Sequence, residues 1–178
     1  QPFNVTSGVP QGSHLGPLFF IIYLNNIKKE IKHCQFLLYA DDLKLFSTVR
    51  SNSDCTKIQE DLNRLSLYGS SNSLFLNLDK CNYMRLTKNL NKIEYKYKVD
   101  GAELKQVQVA KDLGLYVDEK LTFSIHIEKT INEANKLLGF IKRTCKDFRD
   151  PRTMISLYYS YVFNKLMYAS VVWNPRYA

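Results

Sequence analysis

Residues 36–46 read FLLYADDLKLF, so that two acidic residues interrupt an otherwise largely apolar run. The flanking residues predict two short strands, 35–39 and 43–48, joined in a hairpin. Because a tight turn breaks the strict alternation of strand side chains, the carboxylates of Asp41 and Asp42 can approach one point at its tip. The stretch therefore predicts an acidic hairpin tip on an antiparallel sheet.

The acidic pair has a chemical and a purely structural explanation. Neighbouring carboxylates repel each other, and their partial desolvation is unfavourable unless a hard cation bridges them. Mg²⁺ prefers such oxygen ligands and leaves positions open for water and substrate phosphates. The alternative is a solvated turn, in which Asp-Asp is common. Asp41 and Asp42 are therefore candidate metal ligands.

Around the hairpin, the pattern alternates between helical and strand-like segments. A loop over residues 1–12 precedes a helix predicted over 18–32, whose almost continuous apolar sequence predicts burial on most sides. A second helix is predicted to be capped by Ser53-Asp54, with apolar residues at helical spacing. The later segments are predicted strands over 83–86, 93–99, 106–109 and 112–117, with a turn at Asp100-Gly101, and helices over 124–146 and from Asp150-Pro151 to about Lys165.

Composition excludes several classes of protein. Of the 178 residues, 45% are hydrophobic and 24% are charged, which is not the composition of a disordered tail. The longest apolar run is far shorter than the roughly 20 residues that a membrane span needs. The four cysteines form no C-x-x-C pair, and the three histidines are scattered, which argues against a zinc site and a disulfide framework. These features favour a reducing, intracellular location.

The net charge of +8 is unevenly distributed along the chain. Residues 1–79 hold seven basic and seven acidic residues, so the whole excess lies in residues 80–178. A polyanionic partner would explain this excess, because basic side chains that neutralise phosphates release counterions. A lysine-rich soluble surface is the alternative.

Several separated stretches resemble a known enzyme family. Residues 7–18, SGVPQGSHLGPL, followed by residues 36–42 resemble motifs B and C of reverse transcriptases. The resemblance spans nearly the whole chain in the order of the family. Three later stretches also resemble parts of this family. Residues 77–80 resemble motif D, and residues 113–118 with 121–123 resemble the primer-grip region of motif E. Residues 166–175 resemble the thumb of non-LTR (LINE, Jockey-like) retrotransposon polymerases.

This resemblance implies RNA-directed DNA synthesis, in which deoxynucleotides are added to a primer 3′-hydroxyl by a two-metal mechanism. Asp41 and Asp42 would be catalytic ligands of Mg²⁺, with Mn²⁺ as an alternative and Asp41 favoured for direct coordination. Lys80 would lie near the triphosphate and stabilise developing charge or protonate pyrophosphate, unless it is simply an exposed lysine after a turn. The resemblance further assigns nucleotide and template binding to Pro10, Gln11, Gly12, Ser13, Tyr39 and Ala40, and the primer grip to Leu113 and Gly114.

The expected fold class is α+β. Residues 1–122 would form a partial polymerase palm, an antiparallel sheet with flanking helices that carries motifs B to E, and residues 123–178 would form part of a helical thumb. The family also needs an aspartate from motif A, on a strand before motif B. Before Tyr39 the one acidic residue is Glu30, within the predicted helix. The expectation is therefore a palm and thumb fragment, from a truncated gene or a decayed element, without polymerase activity alone.

The expected partners are an RNA template, a DNA primer and a deoxynucleoside triphosphate, with no membrane and an undetermined oligomeric state. The expected location is intracellular, in nucleus and cytoplasm. One alternative is a noncatalytic nucleic-acid-binding remnant that uses the basic region. Another is a different palm polymerase, such as an intron-encoded maturase or a telomerase relative, against which the ending 166–175 argues.

Overall fold

A computed structural model describes residue 8 and residues 12–87, 93–148 and 150–174. The chain divides into two units, one of Gln1–Tyr83 with Asn91–Lys105 and one of Met84–Leu90 with Gln106–Ala178. Among the described residues, no helix combines the length and the apolar character needed to cross a bilayer.

Helices and short strands are mixed along the described chain, which confirms the predicted α+β class. The palm and thumb boundary near residue 122 is a functional division and stays a prediction. In chain order the elements are α1 (Gly16–Leu24), a 3₁₀ helix (Asn25–Lys29), β1 (Gln35–Tyr39), β2 (Asp42–Phe46), α2 (Asn52–Ser71), β3 (Asn82–Tyr83), β4 (Lys98–Val99), β5 (Ala102–Glu103), β6 (Lys105–Gln106), β7 (Val109–Asp112), β8 (Leu115–Asp118), α3 (Ser124–Thr144), α4 (Pro151–Leu157), a π-helical segment (Tyr158–Phe163), α5 (Asn164–Met167) and α6 (Ser170–Trp173).

The hairpin β1–β2 packs one face against the core of the first unit. Its antiparallel register pairs Phe36 with Leu45, and both side chains pack against a buried cluster of Ile27, Ile31 and Leu65. Because side chains alternate along a strand, the residues next to Phe36 and Leu45 along each strand point to the opposite face of the hairpin, away from this cluster. The amphipathic pattern thus fixes which face of the hairpin is buried.

Helix α1 is shorter and far more exposed than predicted. It ends at Leu24, its one buried residue, and a 3₁₀ helix continues where the sequence predicted α-helix to residue 32. The expected burial on most sides is wrong, since burial needs a partner surface and the described part of the chain offers one only near the C-terminal end of the helix. The large apolar side chains that are 46–62% exposed are Leu18, Phe19, Ile21, Ile22 and Tyr23.

Helix α2 begins at Asn52, and its cap, Ser51, lies two residues before the predicted cap at Ser53-Asp54. Ser51 precedes it in extended conformation, and the Asp54 carboxylate accepts hydrogen bonds from the Ser51 amide and hydroxyl, both at 3.0 Å. These bonds satisfy groups that a helix N-terminus otherwise leaves unpaired. They also hold the pKa of Asp54 below its usual value, with the backbone amide of Arg50 contributing most.

The predicted strands over 83–86 and 93–99 are reduced to two residues each, because a strand forms only where a neighbour pairs with it. Strand β4 pairs with β5 across Asp100-Gly101, where both residues have positive φ, as the predicted hairpin turn requires. On the other side of β4, the side-chain amide of Gln59 forms the hydrogen bonds that a neighbouring strand would otherwise form with Lys98. Its Nε2 donates to the Lys98 carbonyl at 2.7 Å, and its Oε1 accepts from the Lys98 amide at 2.9 Å.

The second unit is organised by α3, which ends at Thr144 rather than at the predicted Lys146. Its buried face contributes Ala134 and Ile141 to a cluster with Val162 of the π-helical segment. The helix predicted from Asp150-Pro151 to about Lys165 therefore exists, but six of its residues widen into π-helical geometry where they pack on α3. The widened turn places Val162, 3% exposed, in the cluster.

Candidate functional site

The acidic pair lies at the tip of the β1–β2 hairpin, as the sequence predicts. Tyr39 pairs with Asp42, so that Ala40 and Asp41 form a two-residue turn between the strands. Ala40 has a φ of +51°, in the left-handed region that residues with a Cβ rarely adopt. The turn is therefore tight, and all four residues are exposed.

The register also settles which way Asp42 faces. Tyr39 and Asp42 are directly opposite each other, and neighbours in such a pair project from the same face of the hairpin. That face is the one opposite to Phe36 and Leu45, so the Asp42 carboxylate and the Tyr39 ring, 65% exposed, point away from the core. A metal ion or a polyanion could approach this face from solvent.

A buried carboxylate holds the first strand of this hairpin in place. Asp61 on α2 is completely buried, and its oxygens accept hydrogen bonds from the amides of Lys32 at 3.1 Å and of His33 and Cys34 at 2.8 Å. Burial alone would raise the pKa of Asp61, but these backbone bonds outweigh burial and hold the pKa below its usual value. The residues that lead into β1 are thereby attached to α2.

The charge of Asp61 is compensated by Arg64, whose guanidinium lies 2.6 Å from the carboxylate. Arg64 also pairs with Glu60, which in turn lies 3.1 Å from the His33 imidazole. The sequence contained a signal for this network, because Asp61 has helical spacing with Leu65 and Tyr68 on the predicted apolar face. A charged residue on a buried face needs a partner that forms hydrogen bonds with it, and here the partner is the backbone before β1.

Part of the predicted nucleotide-binding loop falls outside the described residues, namely Pro10 and Gln11. Gly12 is exposed with a φ of +82°, and a Cβ there would meet nothing within 4 Å. The Ser13 hydroxyl accepts a hydrogen bond of 3.0 Å from the amide of Gly16, the first residue of α1. Ser13 therefore has a local structural role, and its role in nucleotide binding stays a prediction.

Lys80 lies in a turn between α2 and β3. Its amide donates to the Asn77 carbonyl at 3.0 Å and its own carbonyl accepts from the Asn82 side chain at 3.3 Å, while the side chain is exposed. Within the described part of the chain no ion pair joins its ammonium to Asp41 or Asp42. The structure thus leaves the catalytic assignment of Lys80 as a prediction.

The predicted primer-grip residues form the turn of a further hairpin, β7–β8. The strand predicted over 112–117 is wrong, because the chain reverses at Leu113 and Gly114 between the paired residues Asp112 and Leu115. Both turn residues have positive φ, +45° and +86°, which is the geometry of a type I′ turn. The sequence signal was a glycine inside an apparent strand, which commonly marks a turn or a close approach.

Two contacts fix this turn from outside the hairpin. The Tyr168 hydroxyl donates a hydrogen bond of 2.6 Å to the Leu113 carbonyl. A Cβ on Gly114 would lie 3.3 Å from Cε1 of the same ring, closer than most side-chain contacts. Sequence reasoning assigned no role to Tyr168, since nothing in the pattern brings it next to residues more than fifty positions earlier.

The segment after β8, residues 121–123, is organised by Asp118. Its carboxylate accepts from the amides of Lys120, Thr122 and Phe123 and from the Thr122 hydroxyl, at 2.7–3.1 Å. Burial opposes ionisation, but these hydrogen bonds prevail and lower the pKa of Asp118. The carboxylate thus holds the connection between the β7–β8 hairpin and α3.

The acidic tip fits a partial, open metal site. Among the described residues, no three His, Cys, Asp or Glu side chains are grouped so that they could hold an ion. Two neighbouring carboxylates nevertheless supply hard oxygen donors, and Mg²⁺ is commonly held by one or two carboxylates together with water and substrate phosphates. Asp41 and Asp42 therefore suit a cation whose other ligands come from substrate and from elsewhere.

Comparison with known families identifies one match. Residues 1–141 match the family described as reverse transcriptase (RNA-dependent DNA polymerase). The matched region contains the acidic hairpin, the Lys80 turn and the Leu113–Gly114 turn.

Three relatives from Drosophila melanogaster are similar over much of this chain. The probable RNA-directed DNA polymerase from transposon BS is 30% identical over 138 residues, which cover 72% of this chain and 15% of the relative. That from transposon X-element is 30% identical over 129 residues, covering 70% and 14%, and the RNA-directed DNA polymerase from mobile element jockey is 28% identical over 131 residues, covering 69% and 14%. The chain thus spans about 15% of the length of these relatives. No solved structure matches it.

Proposed function

Because this chain belongs to the reverse transcriptase family and resembles the polymerases of Jockey-like non-LTR elements, we propose that it supplies palm and thumb elements of an RNA-directed DNA polymerase. Such an enzyme adds deoxynucleotides to a primer 3′-hydroxyl on an RNA template. The observation that carries the proposal is the tight turn that presents Asp41 and Asp42 at an exposed hairpin tip.

Asp41 and Asp42 would hold Mg²⁺, or Mn²⁺ in its place. When bound in a pair, such ions activate the primer hydroxyl and neutralise the charge that develops on the triphosphate. The hairpin serves this role because its buried face is attached to the core, while the Asp61 network fixes the entry to β1. A rigid support of this kind keeps the two carboxylates in a defined position.

The neighbouring residues would position the nucleic acid. Tyr39 shares the exposed face with Asp42, where its ring can pack beside the primer end, and the small side chain of Ala40 leaves room for a sugar. Gly12 presents an open backbone that a nucleotide could approach closely. Lys80 would place a mobile positive charge near the triphosphate, and the Leu113–Gly114 turn would hold the primer strand.

The carboxylates are tested by primer extension on an RNA template, in a polymerase that carries this chain together with a motif A aspartate. Asp41→Asn and Asp42→Asn should each lower the rate by about a hundredfold or more, since each removes a charged metal ligand. Asp147→Asn, which removes an exposed aspartate of the second unit, is the matched control and should leave the rate unchanged. Unchanged rates in the Asp41 and Asp42 variants would refute the assignment.

This chain by itself should not synthesise DNA. Its residues 1–38 contain one acidic residue, Glu30, which follows the 3₁₀ helix and lies on no strand. The chain would then supply two carboxylates, Asp41 and Asp42, where the family's active site needs three. Incorporation of deoxynucleotides into a primed RNA by the purified chain, in Mg²⁺, would contradict this expectation.

A noncatalytic nucleic-acid-binding role is the second candidate, and the second unit provides an observation in its favour. The Lys129 ammonium lies 3.8 Å from the centre of the Tyr116 ring, and that of Lys111 lies 5.6 Å from it, so that two cations lie beside one aromatic ring on the β7–β8 hairpin. Salt-sensitive binding of RNA or DNA would suit both functions. Mg²⁺-dependent nucleotide binding that is lost in Asp41→Asn would support the polymerase alone.

A further inference from the structure

We propose that Tyr168 is a positioning residue that fixes the Leu113–Gly114 turn, so that binding of the primer strand depends on a side chain 55 residues downstream. This inference rests on the proposed polymerase function. Tyr168 lies beyond residue 141, where the family match ends.

The turn needs support from outside because its own sequence suits it only in part. A type I′ turn demands positive φ at both central residues, and glycine meets that demand at position 114. Leucine at position 113 does not, since its Cβ disfavours the left-handed region. Leu113 is also 45% exposed, so burial of its side chain does not hold it there.

Tyr168 supplies the missing support through the hydroxyl end of its ring. Its hydroxyl donates to the carbonyl of the unfavourable residue, Leu113, at 2.6 Å. The ring edge rests against Gly114 so closely that even a methyl group there would crowd it at 3.3 Å. One side chain thus contacts both turn residues. Its hydroxyl bonds to Leu113, and its ring can lie against Gly114 because glycine has no side chain.

Tyr168 is itself held by the last described residues. The Trp173 indole donates a hydrogen bond of 2.8 Å to the Tyr168 carbonyl, and Ala169 adopts a φ of +53° that turns the chain between them. The Trp173 ring packs on the imidazole of His126, with 5.7 Å between ring centres. The buried His126 lies against β8, where its Nδ1 accepts a bond of 3.4 Å from the Tyr116 amide. The contacts therefore form a closed path from β8 through His126, Trp173 and Tyr168 back to the turn.

The geometry points to positioning rather than to general stability. Tyr168 is 52% exposed, and it belongs to neither buried cluster of the described residues. Loss of that hydroxyl should leave the unit folded while it frees the turn. A primer strand would then have to order the turn as it binds, which weakens binding without changing the chemical step.

The test compares Tyr168→Phe with Tyr161→Phe. Tyr161 belongs to the same unit and is 57% exposed, so the control removes a hydroxyl in similar surroundings without touching the turn. In this chain, amide hydrogen exchange at residues 113–115 should become about fivefold faster in Tyr168→Phe, the effect of losing one ordinary hydrogen bond. Exchange in α3 should not change in either variant.

In a polymerase that carries this chain and a motif A aspartate, Tyr168→Phe should raise KM for primer–template by a similar factor, again about fivefold. The KM for deoxynucleotide and kcat at saturating primer–template should stay the same. Trp173→Phe, which removes the indole donor, should act in the same direction.

Unchanged exchange at residues 113–115, or unchanged KM for primer–template, would overturn the proposal. An equal effect in Tyr161→Phe would also overturn it. If the unaltered polymerase extended no primer at all, the proposed function would fall, whereas hydrogen exchange in this chain would still show whether Tyr168 holds the turn.

Discussion

The buried carboxylate of Asp61 accepts a hydrogen bond of 2.8 Å from the backbone amide of His33. The two residues connect α2 to the segment that enters the acidic hairpin, and the amides of Lys32 and Cys34 bind the same carboxylate. Three consecutive amides that converge on one anion fix the course of the backbone there. The course of the chain into the hairpin that carries Asp41 and Asp42 therefore depends on a buried acidic residue of α2.

We expect Asp61→Asn to lower the free energy of unfolding by about 2–4 kcal/mol, because the amides of residues 32–34 and the Arg64 guanidinium lose a buried charged acceptor. Urea unfolding followed by circular dichroism measures the change. Glu60→Gln removes an exposed partner of the same arginine and should change stability by less than about 0.5 kcal/mol. Equal losses in the two variants would show that the amides do not depend on the Asp61 charge.

Stability should fall in acid, and Asp61 should account for part of the fall. Its pKa is lower in the folded chain than in the unfolded chain, so the unfolded state binds more protons as the pH decreases. The contribution of Asp61 is therefore complete above the unfolded pKa, near pH 4, and disappears as the pH falls through the folded value. Asp54 and Asp118 titrate in the same direction. Between pH 2 and 7, the free energy of unfolding should therefore depend less on pH in Asp61→Asn than in the unaltered chain, although some dependence should remain. An identical pH dependence in the two proteins would contradict the assigned pKa shift.

Two glycines separate the effect of a positive φ from the effect of Tyr168. Gly114→Ala and Gly101→Ala both place a Cβ at φ near +80°, which should destabilise each turn by about 1 kcal/mol. Only at position 114 does the new methyl meet Tyr168, whereas at position 101 it meets open space. Gly114→Ala should therefore have the larger effect on thermal unfolding, by about 1 kcal/mol. Equal effects would mean that the Tyr168 ring moves away at no cost.

Ala40→Gly should slightly stabilise the chain. The φ of +51° at Ala40 is unfavourable for alanine by about 1–2 kcal/mol, and its relief exceeds the 0.5–1 kcal/mol of chain entropy that glycine loses on folding. A net gain of about 0.5 kcal/mol in urea unfolding is expected. Ala102→Gly, in strand β5 at an ordinary φ, should instead destabilise by about 0.5–1 kcal/mol. Destabilisation by both substitutions would show that the Ala40 turn relaxes without strain.

Local patterns predicted the parts of the fold that neighbouring residues determine. Alternation around Asp41-Asp42 predicted the first hairpin and its tip, and Asp100-Gly101 predicted a second turn, because both depend on a few residues and their φ angles. The break at Leu113 was missed, since leucine is an unusual residue in a type I′ turn and its support comes from Tyr168. That contact exists only in the folded chain.

Burial was the property that the sequence predicted least well. The apolar sequence of α1 predicted a buried helix, yet Phe19 and Ile22 are about half exposed. A sequence shows which side chains favour burial, but the partner surface depends on the rest of the fold. Asp61 shows the converse, since an acidic residue is fully buried where the backbone offers three amides.

Cys34 should react slowly with alkylating reagents, and loss of the Asp61 charge should make it react faster. Partial burial, together with the nearby Asp61 carboxylate, raises the pKa of the Cys34 thiol to about 12, so almost none of the reactive thiolate exists at pH 8. Asp61→Asn removes the charge and should therefore increase the rate of reaction of Cys34 with iodoacetamide, measured by mass spectrometry of its peptide.

Two other cysteines make this measurement specific. Burial alone raises the pKa of Cys81, so its rate of alkylation should not respond to the loss of the Asp61 charge. Cys55 is buried, and it would react faster only if the variant opened the whole unit. Faster alkylation of Cys34 alone is thus the expected result. An increase shared by Cys55 would mean that Asp61→Asn acts by unfolding, and no increase at Cys34 would show that burial, rather than the Asp61 carboxylate, protects the thiol.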